Sequence, residues 1–115
     1  MIKKNYADVK EEVVTKANST KTTIRWLITK EDGAPRFTMR RFKIGPGGEI
    51  GMHQHSEEHE IYILKGKGKV IDQEGNIVEV SRGDVLYVPP NEEHGYKNDG
   101  EKQFIFLCVI PYLEV

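Results

Sequence analysis

After residue 22 the chain alternates between short apolar runs and clusters of turn formers. The runs are TTIRWLIT (22–29), RFTMRRFKI (36–44), EIYILKGKGKVI (60–71), NIVEV (76–80), DVLYVPP (84–90), HGYKN (94–98) and KQFIFLCVIP (102–111). They are rich in β-branched and aromatic residues and are closed by Gly, Pro, Asn or Asp, the signature of strands. KEDGAP breaks the first pair, GPGG (45–48) reads as a turn, and DQEG reads as a hairpin connection. GKGK at 66–69 lacks the strand–glycine loop–helix context of a phosphate loop, so it reads as a glycine-kinked strand. No stretch in this region sustains a 3.6-residue apolar period. The pattern predicts an all-β domain, an antiparallel barrel or sandwich rather than an α/β fold.

The first 21 residues are different. YADVKEEVVTKANSTK carries charges suited to a short helix, yet Val9, Val13 and Val14 fit an edge strand equally. The expected division is therefore an N-terminal arm or edge strand over 1–21 and a β-barrel domain over 22–115. The arm would pack on the barrel or on a partner subunit.

Composition narrows the functional classes. A chain of 115 residues is one domain, burying roughly two thirds of the surface it exposes when unfolded. Its 17 basic and 18 acidic residues give a formal net charge of −1, without the basic footprint of a nucleic-acid or anionic-membrane binder. The single cysteine, Cys108, excludes an internal disulfide framework and a cysteine-rich zinc site. IFLCVI at 105–110 is the longest apolar run and is too short to span a bilayer. No secretory segment opens the chain, so a cytoplasmic location is expected.

The chemistry concentrates in GMHQHSEEHE (51–60), which holds three of the four histidines. On a strand, His53 and His55 are two apart and share a face. Ser56, Glu57 and Glu58 can make a tight, solvated turn that returns His59 from a third direction. His94 follows the break VPPNEE and opens another strand, from which it could supply a fourth nitrogen. Neutral imidazole is a good ligand for Mn, Fe, Ni, Cu and Zn. A lone histidine on a strand is more often a surface or hydrogen-bonded residue, and His-x-His pairs also occur without metal.

From Gly47 onward the sequence resembles the cupin superfamily's two motifs. Gly47, His53, His55, His59 and Gly66 fit the first motif, with histidine where many cupins carry a glutamate ligand. Gly83, Pro89, His94 and Asn98 fit the second in register, with Asn91 in place of a glycine. Asparagine tolerates φ > 0, so that departure is mild. The resemblance covers roughly 36–111 and implies a single-domain jelly-roll-like antiparallel barrel. It further implies a metal site of His53, His55, His59 and His94. FTMRRFKIGPGG, HEIYILKGK and PNEEHGYKND look similar to small four-histidine manganese cupins. On that likeness the ion is Mn or Fe, with Zn, Ni or Cu also possible.

Parity adds candidates for a substrate pocket. Arg40 shares a face with Phe42 and Ile44, and an inward guanidinium would hold a substrate carboxylate or phenolate. An exposed arginine is the simpler alternative, although the resembling manganese cupins place an arginine at the pocket border. Phe106 and Cys108 share a face of the last strand, where core packing is the default and a pocket wall the alternative. Tyr96 has the parity of His94. The expected function is a metal-dependent, dioxygenase-like oxidoreductase acting on a small organic molecule. A metal-dependent isomerase or decarboxylase is the alternative, with Tyr96 or Glu60 as base, as is a non-enzymatic binding module. A homodimer is expected because KQFIFLCVI is apolar on both faces and small cupins commonly pair.

Overall fold

The computed structural model describes residues 1–112. Nine strands follow one another: β1 (Glu12–Val13), β2 (Thr20–Ile28), β3 (Phe37–His53), β4 (His59–Lys65), β5 (Lys67–Ile71), β6 (Ile77–Ser81), β7 (Val85–Val88), β8 (His94–Lys97) and β9 (Phe104–Pro111). They form a curled antiparallel sheet in the order β6-β5-β8-β3-β9-β4-β7, with β2 on β3 and β1 on β2. This is the all-β, single-domain architecture that the strand pattern implies. Among the described residues no helix is long and apolar enough to cross a membrane.

The expected turn at GPGG does not form. Residues 45–48 lie inside β3, which runs unbroken for 17 residues. The strand bends there instead, with Gly47 at φ +80°. A bend at glycine keeps the ladder alive where a turn would end it. The Gly47 N–H donates to the Asn98 carbonyl at 2.8 Å, and the Asn98 N–H donates to the Gly48 carbonyl at 3.0 Å. Residues 37–44 of β3 pair with β9, whereas Glu49, Ile50 and His53 pair with β8. One strand thus curls the sheet around its own interior.

A second glycine performs the opposite exchange. Gly66, at φ +79°, separates β4 from β5, and a Cβ there would stand 2.1 Å from the Gln103 carbonyl oxygen. Before it the chain pairs with β7 and β9; after it the chain pairs with β5's neighbours, β6 and β8. Asn91 takes φ +64°, the conformation expected of a residue standing in for glycine.

Inside the curl, alternate residues of each strand meet. Ile61 and Ile63 of β4, Phe104 and Phe106 of β9, and Phe42 and Ile44 of β3 are all buried. Phe106 lies at the centre of an aromatic group, with ring centroids 5.3 Å from Phe42, 5.1 Å from Tyr96 and 5.2 Å from Phe104. Such pairs each add about 0.5–1.5 kcal/mol beyond their buried area.

The N-terminal segment is neither a helix nor one continuous strand. Single 3-10 turns at Tyr6–Asp8 and Lys16–Asn18 flank β1, whose two residues pair with Ile24 and Thr23 of β2. Ala17, Asn18 and Lys21 take positive φ, which turns the arm back across the sheet.

Asn98 ties the bend to the following loop. It is 1% exposed, its Nδ2 donates to the Ile44 and Lys102 carbonyls at 2.8 Å each, and its Oδ1 accepts from Gly100 N–H at 3.1 Å. Replacement Asn98→Ala leaves three backbone groups without these partners. A loss of about 2–4 kcal/mol is expected in urea unfolding; a change below about 0.5 kcal/mol would show that the staple is dispensable.

Candidate metal centre

Four histidines meet at one end of the barrel because three strand ends meet there. His53 closes β3 and His94 opens β8, and the two are register partners. His59 opens β4, and His55 projects from the loop between β3 and β4. The ring centroids lie 4.5 Å apart for His53 and His94, 4.3 Å for His55 and His59, and 5.0 Å for His59 and His94. The sequence placed all four near one another, and they are.

Their hydrogen bonds define which nitrogens face the centre. His53 Nδ1 lies 2.8 Å from the Gly51 carbonyl and His94 Nδ1 lies 2.8 Å from the Glu92 carbonyl. A carbonyl only accepts, so both Nδ1 atoms carry the proton and both Nε2 atoms are left as bare acceptors. His94 Nε2 is buried and finds no partner among the described residues. Nitrogens of His53, His55 and His94 fall within 4.8 Å of one another. Bonds of about 2.0–2.1 Å to a shared ion require such convergence. His59 lies outside that triplet and joins it through His55, their Nε2 atoms being 2.5 Å apart. That pair is a hydrogen bond when one of the two nitrogens carries a proton. When neither does, the two lone pairs repel unless a cation lies between them. The donor set therefore fits a divalent transition metal.

Burial holds three of the four imidazoles toward the neutral form. His59 is pushed down to about 2, first by burial and then by the Arg40 guanidinium and its fellow imidazoles. His94 is pushed down to about 4, again chiefly by burial. Burial also lowers His55, against the pull of Glu57. Neutral imidazole is the form that binds metal.

Above the cluster opens a cavity of about 340 Å³. Arg40 and Tyr96 line it, in agreement with their parity. The Arg40 guanidinium stacks over Phe42 at 5.0 Å and Trp26 at 5.7 Å, and its Nε is buried with no partner among the described residues. Burial drives the Tyr96 phenol far above its usual range, so it stays a neutral phenol. Phe106 and Cys108 stand behind the lining. Phe106 backs Phe42 and Tyr96, and Cys108 reaches the cluster through His59 Nδ1. Glu60, weighed as a base, is exposed because it alternates outward from His59 and Ile61 on β4.

Sequence reasoning missed part of the wall. Ile24 and Trp26 of β2 face Phe42 and Arg40 across the ladder, and Ile50 completes that side. The alternation of β2 could have revealed them. Residues 12–17 form the rim, and nothing in their pattern signals it.

A cupin domain model matches residues 40–110. The chain is a member of the cupin family. It is 41% identical over 74 residues to an oxalate-binding protein of Thermotoga maritima, a match spanning 64% of this chain and 60% of that protein. It is 41% identical over 66 residues to a glucose-6-phosphate isomerase of Thermococcus litoralis, spanning 51% of this chain and 35% of the isomerase. The chain thus covers less than two thirds of either relative. Among solved structures, the polyketide cyclase RemF from Streptomyces resistomycificus superposes with a TM-score of 0.91 at 36% identity. That match covers 96% of this chain and 79% of the cyclase.

The buried imidazoles make this cupin acid-sensitive when metal-free. Below pH 6.5 the unfolded chain's histidines take up protons that His94 and His59 refuse until about 4 and about 2. The unfolded state then binds more protons, so stability falls as pH is lowered. Urea midpoints of metal-free protein should decline steadily from pH 7 to 5, before carboxylates titrate. His94→Gln should flatten the decline, and an unchanged slope would show that His94 titrates normally.

Proposed function

We propose that this cupin is a four-histidine metalloenzyme that acts on a small, oxygen-rich organic molecule by an oxidation of the dioxygenase type. The observation that carries the reading is the pair of carbonyl-anchored imidazoles, His53 and His94, whose bare nitrogens converge with His55 and His59 beneath a cavity. His53, His55, His59 and His94 would hold one divalent ion. Mn or Fe is favoured by resemblance to manganese cupins, and Zn, Ni and Cu also suit imidazole. Bound there, the ion supplies Lewis acidity and, when redox-active, one-electron chemistry.

The chain's own residues bind and orient the substrate. Arg40 offers a guanidinium to a carboxylate, phenolate or enolate oxygen, while Trp26 and Phe42 flank a planar body. Tyr96 keeps its proton at neutral pH, so it can donate a hydrogen bond but cannot act as a base. Among the described residues of the cavity wall, Glu12 is the sole carboxylate, and it stands on β1 at the rim. Proton abstraction at the floor therefore lacks a base. Oxidation of an already ionised enol or phenol needs none.

A redox-neutral ring closure or isomerisation is the second reading, favoured by the likeness to a polyketide cyclase over nearly the whole chain. Elemental analysis of tag-free protein should find one transition metal per chain. Metal-loaded protein should consume dioxygen with small catechols or enols, and His59→Ala should lower turnover at least about 100-fold. Turnover that survives strict anaerobiosis would replace the oxidase reading with the redox-neutral one. No turnover under either atmosphere would leave a binding module.

We also propose a homodimer. Tyr62, Val85 and Tyr87 are 48%, 72% and 59% exposed on β4 and β7, where they continue an apolar face with Leu107 and Val109 of β9. A soluble monomer seldom leaves such a patch open. Light scattering at micromolar concentration should give twice the chain mass, and a Tyr62→Lys/Tyr87→Lys variant should give the chain mass. A monomeric wild type would end the proposal.

A further inference from the structure

The four imidazoles are not held alike. His53 and His94 each bond the carbonyl two residues earlier in their own chain segment, Gly51 and Glu92. His59 has no such bond. Its Nδ1 lies 2.6 Å from Cys108 Sγ and 3.3 Å from Arg40 Nη2. We infer that Cys108 is the positioning residue of His59: its sulfur accepts the Nδ1–H and turns Nε2 toward the ion.

The register explains how the sulfur arrives there. Cys108 faces Ile61 on one side and Arg40 on the other, so it sits one step diagonally from His59 on the inner face. It is 1% exposed, and Phe106 on the same face stacks on Phe42 and Tyr96, leaving the β9 side chains little freedom. Arg40 Nη2 donates to the same sulfur at 3.0 Å.

Proton bookkeeping then selects the partner. On the reading that His59 binds metal through Nε2, the ring's single proton resides on Nδ1. Arg40 has only donors and cannot accept it. Among the described residues in hydrogen-bond reach of that nitrogen, the sulfur is the acceptor. The arrangement is the thiol counterpart of the carboxylate or carbonyl that commonly orients a metal-bound histidine. Sulfur is a weaker acceptor than oxygen, so His59 is less firmly oriented than His53 and His94. Unlike the two carbonyls, its anchor is a side chain and can be removed.

The test compares Cys108→Val, which keeps the volume and removes the acceptor, with Cys108→Ser, which keeps an acceptor. Affinity for Co²⁺ is read by chelator competition together with the ion's d–d absorption. The tautomer of His59 is read by ¹⁵N NMR on Zn²⁺-loaded protein. Cys108→Val should weaken Co²⁺ binding about 10- to 100-fold and alter the d–d bands. Its His59 Nδ1–H signal should be lost to exchange. Cys108→Ser should retain the signal and bind close to wild type. Equal affinity and spectra in the valine variant would overturn the inference, as would equal losses in both variants, which mark a packing role alone. Should the valine variant not fold, a wild-type His59 lacking a protected Nδ1–H in the Zn²⁺ form is equally decisive. Wild-type protein that binds no Co²⁺ would remove the metal reading itself. Binding undiminished by His59→Ala would remove only this inference and leave a three-histidine centre.

Discussion

A buried imidazole has two nitrogens to satisfy, and at this barrel's end the protein supplies a conventional acceptor for only one of them. Desolvating an unpaired ring nitrogen costs about 1–3 kcal/mol. His94 accepts that cost outright, with Nδ1 on the Glu92 carbonyl and Nε2 buried without a protein partner. His53 is held in the same manner from Gly51. A fold optimised for stability alone would place leucine or valine there. The geometry makes sense when something outside the chain meets the free nitrogens, and a cation in the shared space meets several at once.

Everything else in the fold serves to bring those strand ends together. β3 must pair with β9 at one end and β8 at the other, and glycines at 45, 47 and 48 let it bend between them. Asn98 then locks β8 and its following loop to the bent segment. Gly66 sends the chain from β7 and β9 to β6 and β8. The motif glycines and asparagine are therefore distant from the imidazoles in role but not in consequence. They set the curl, and the curl sets where His53, His59 and His94 end.

Legibility followed the range of the determining force. Strand runs and the faces of Arg40, Tyr96 and the inward β9 residues follow from the period-two alternation of a strand, which needs no knowledge of neighbours. The fixed offsets from Gly47 to Gly66 and from Gly83 to Asn98 placed four histidines near one another. GPGG was misread because local chemistry marks glycine and proline as turn formers, whereas the cross-strand bonds from Gly47 and to Gly48 keep the segment in the ladder. The arm was unreadable for a related reason. Its course over the cavity depends on positive φ at Ala17, Asn18 and Lys21, residues that rarely announce that conformation. Trp26 was readable by alternation but only once β2 was known to face β3.

On the proposed metal reading, charge bears on the kind of molecule the cavity would favour. With histidine at position 59 the floor carries no carboxylate, and burial holds His59 and His94 toward the neutral form. Arg40 adds a fixed positive charge whose Nε is unpaired, and its stacking on Phe42 and Trp26 prevents it from swinging out to solvent at no cost. A divalent ion beside this guanidinium would concentrate three positive charges in a partly enclosed space. Such a space would attract an anion able to neutralise both centres at once. A neutral sugar or hydrocarbon would leave the charges uncompensated. On the same reading the aromatic walls would favour an anion whose charge is delocalised over a flat frame, as in a phenolate or enolate carboxylate.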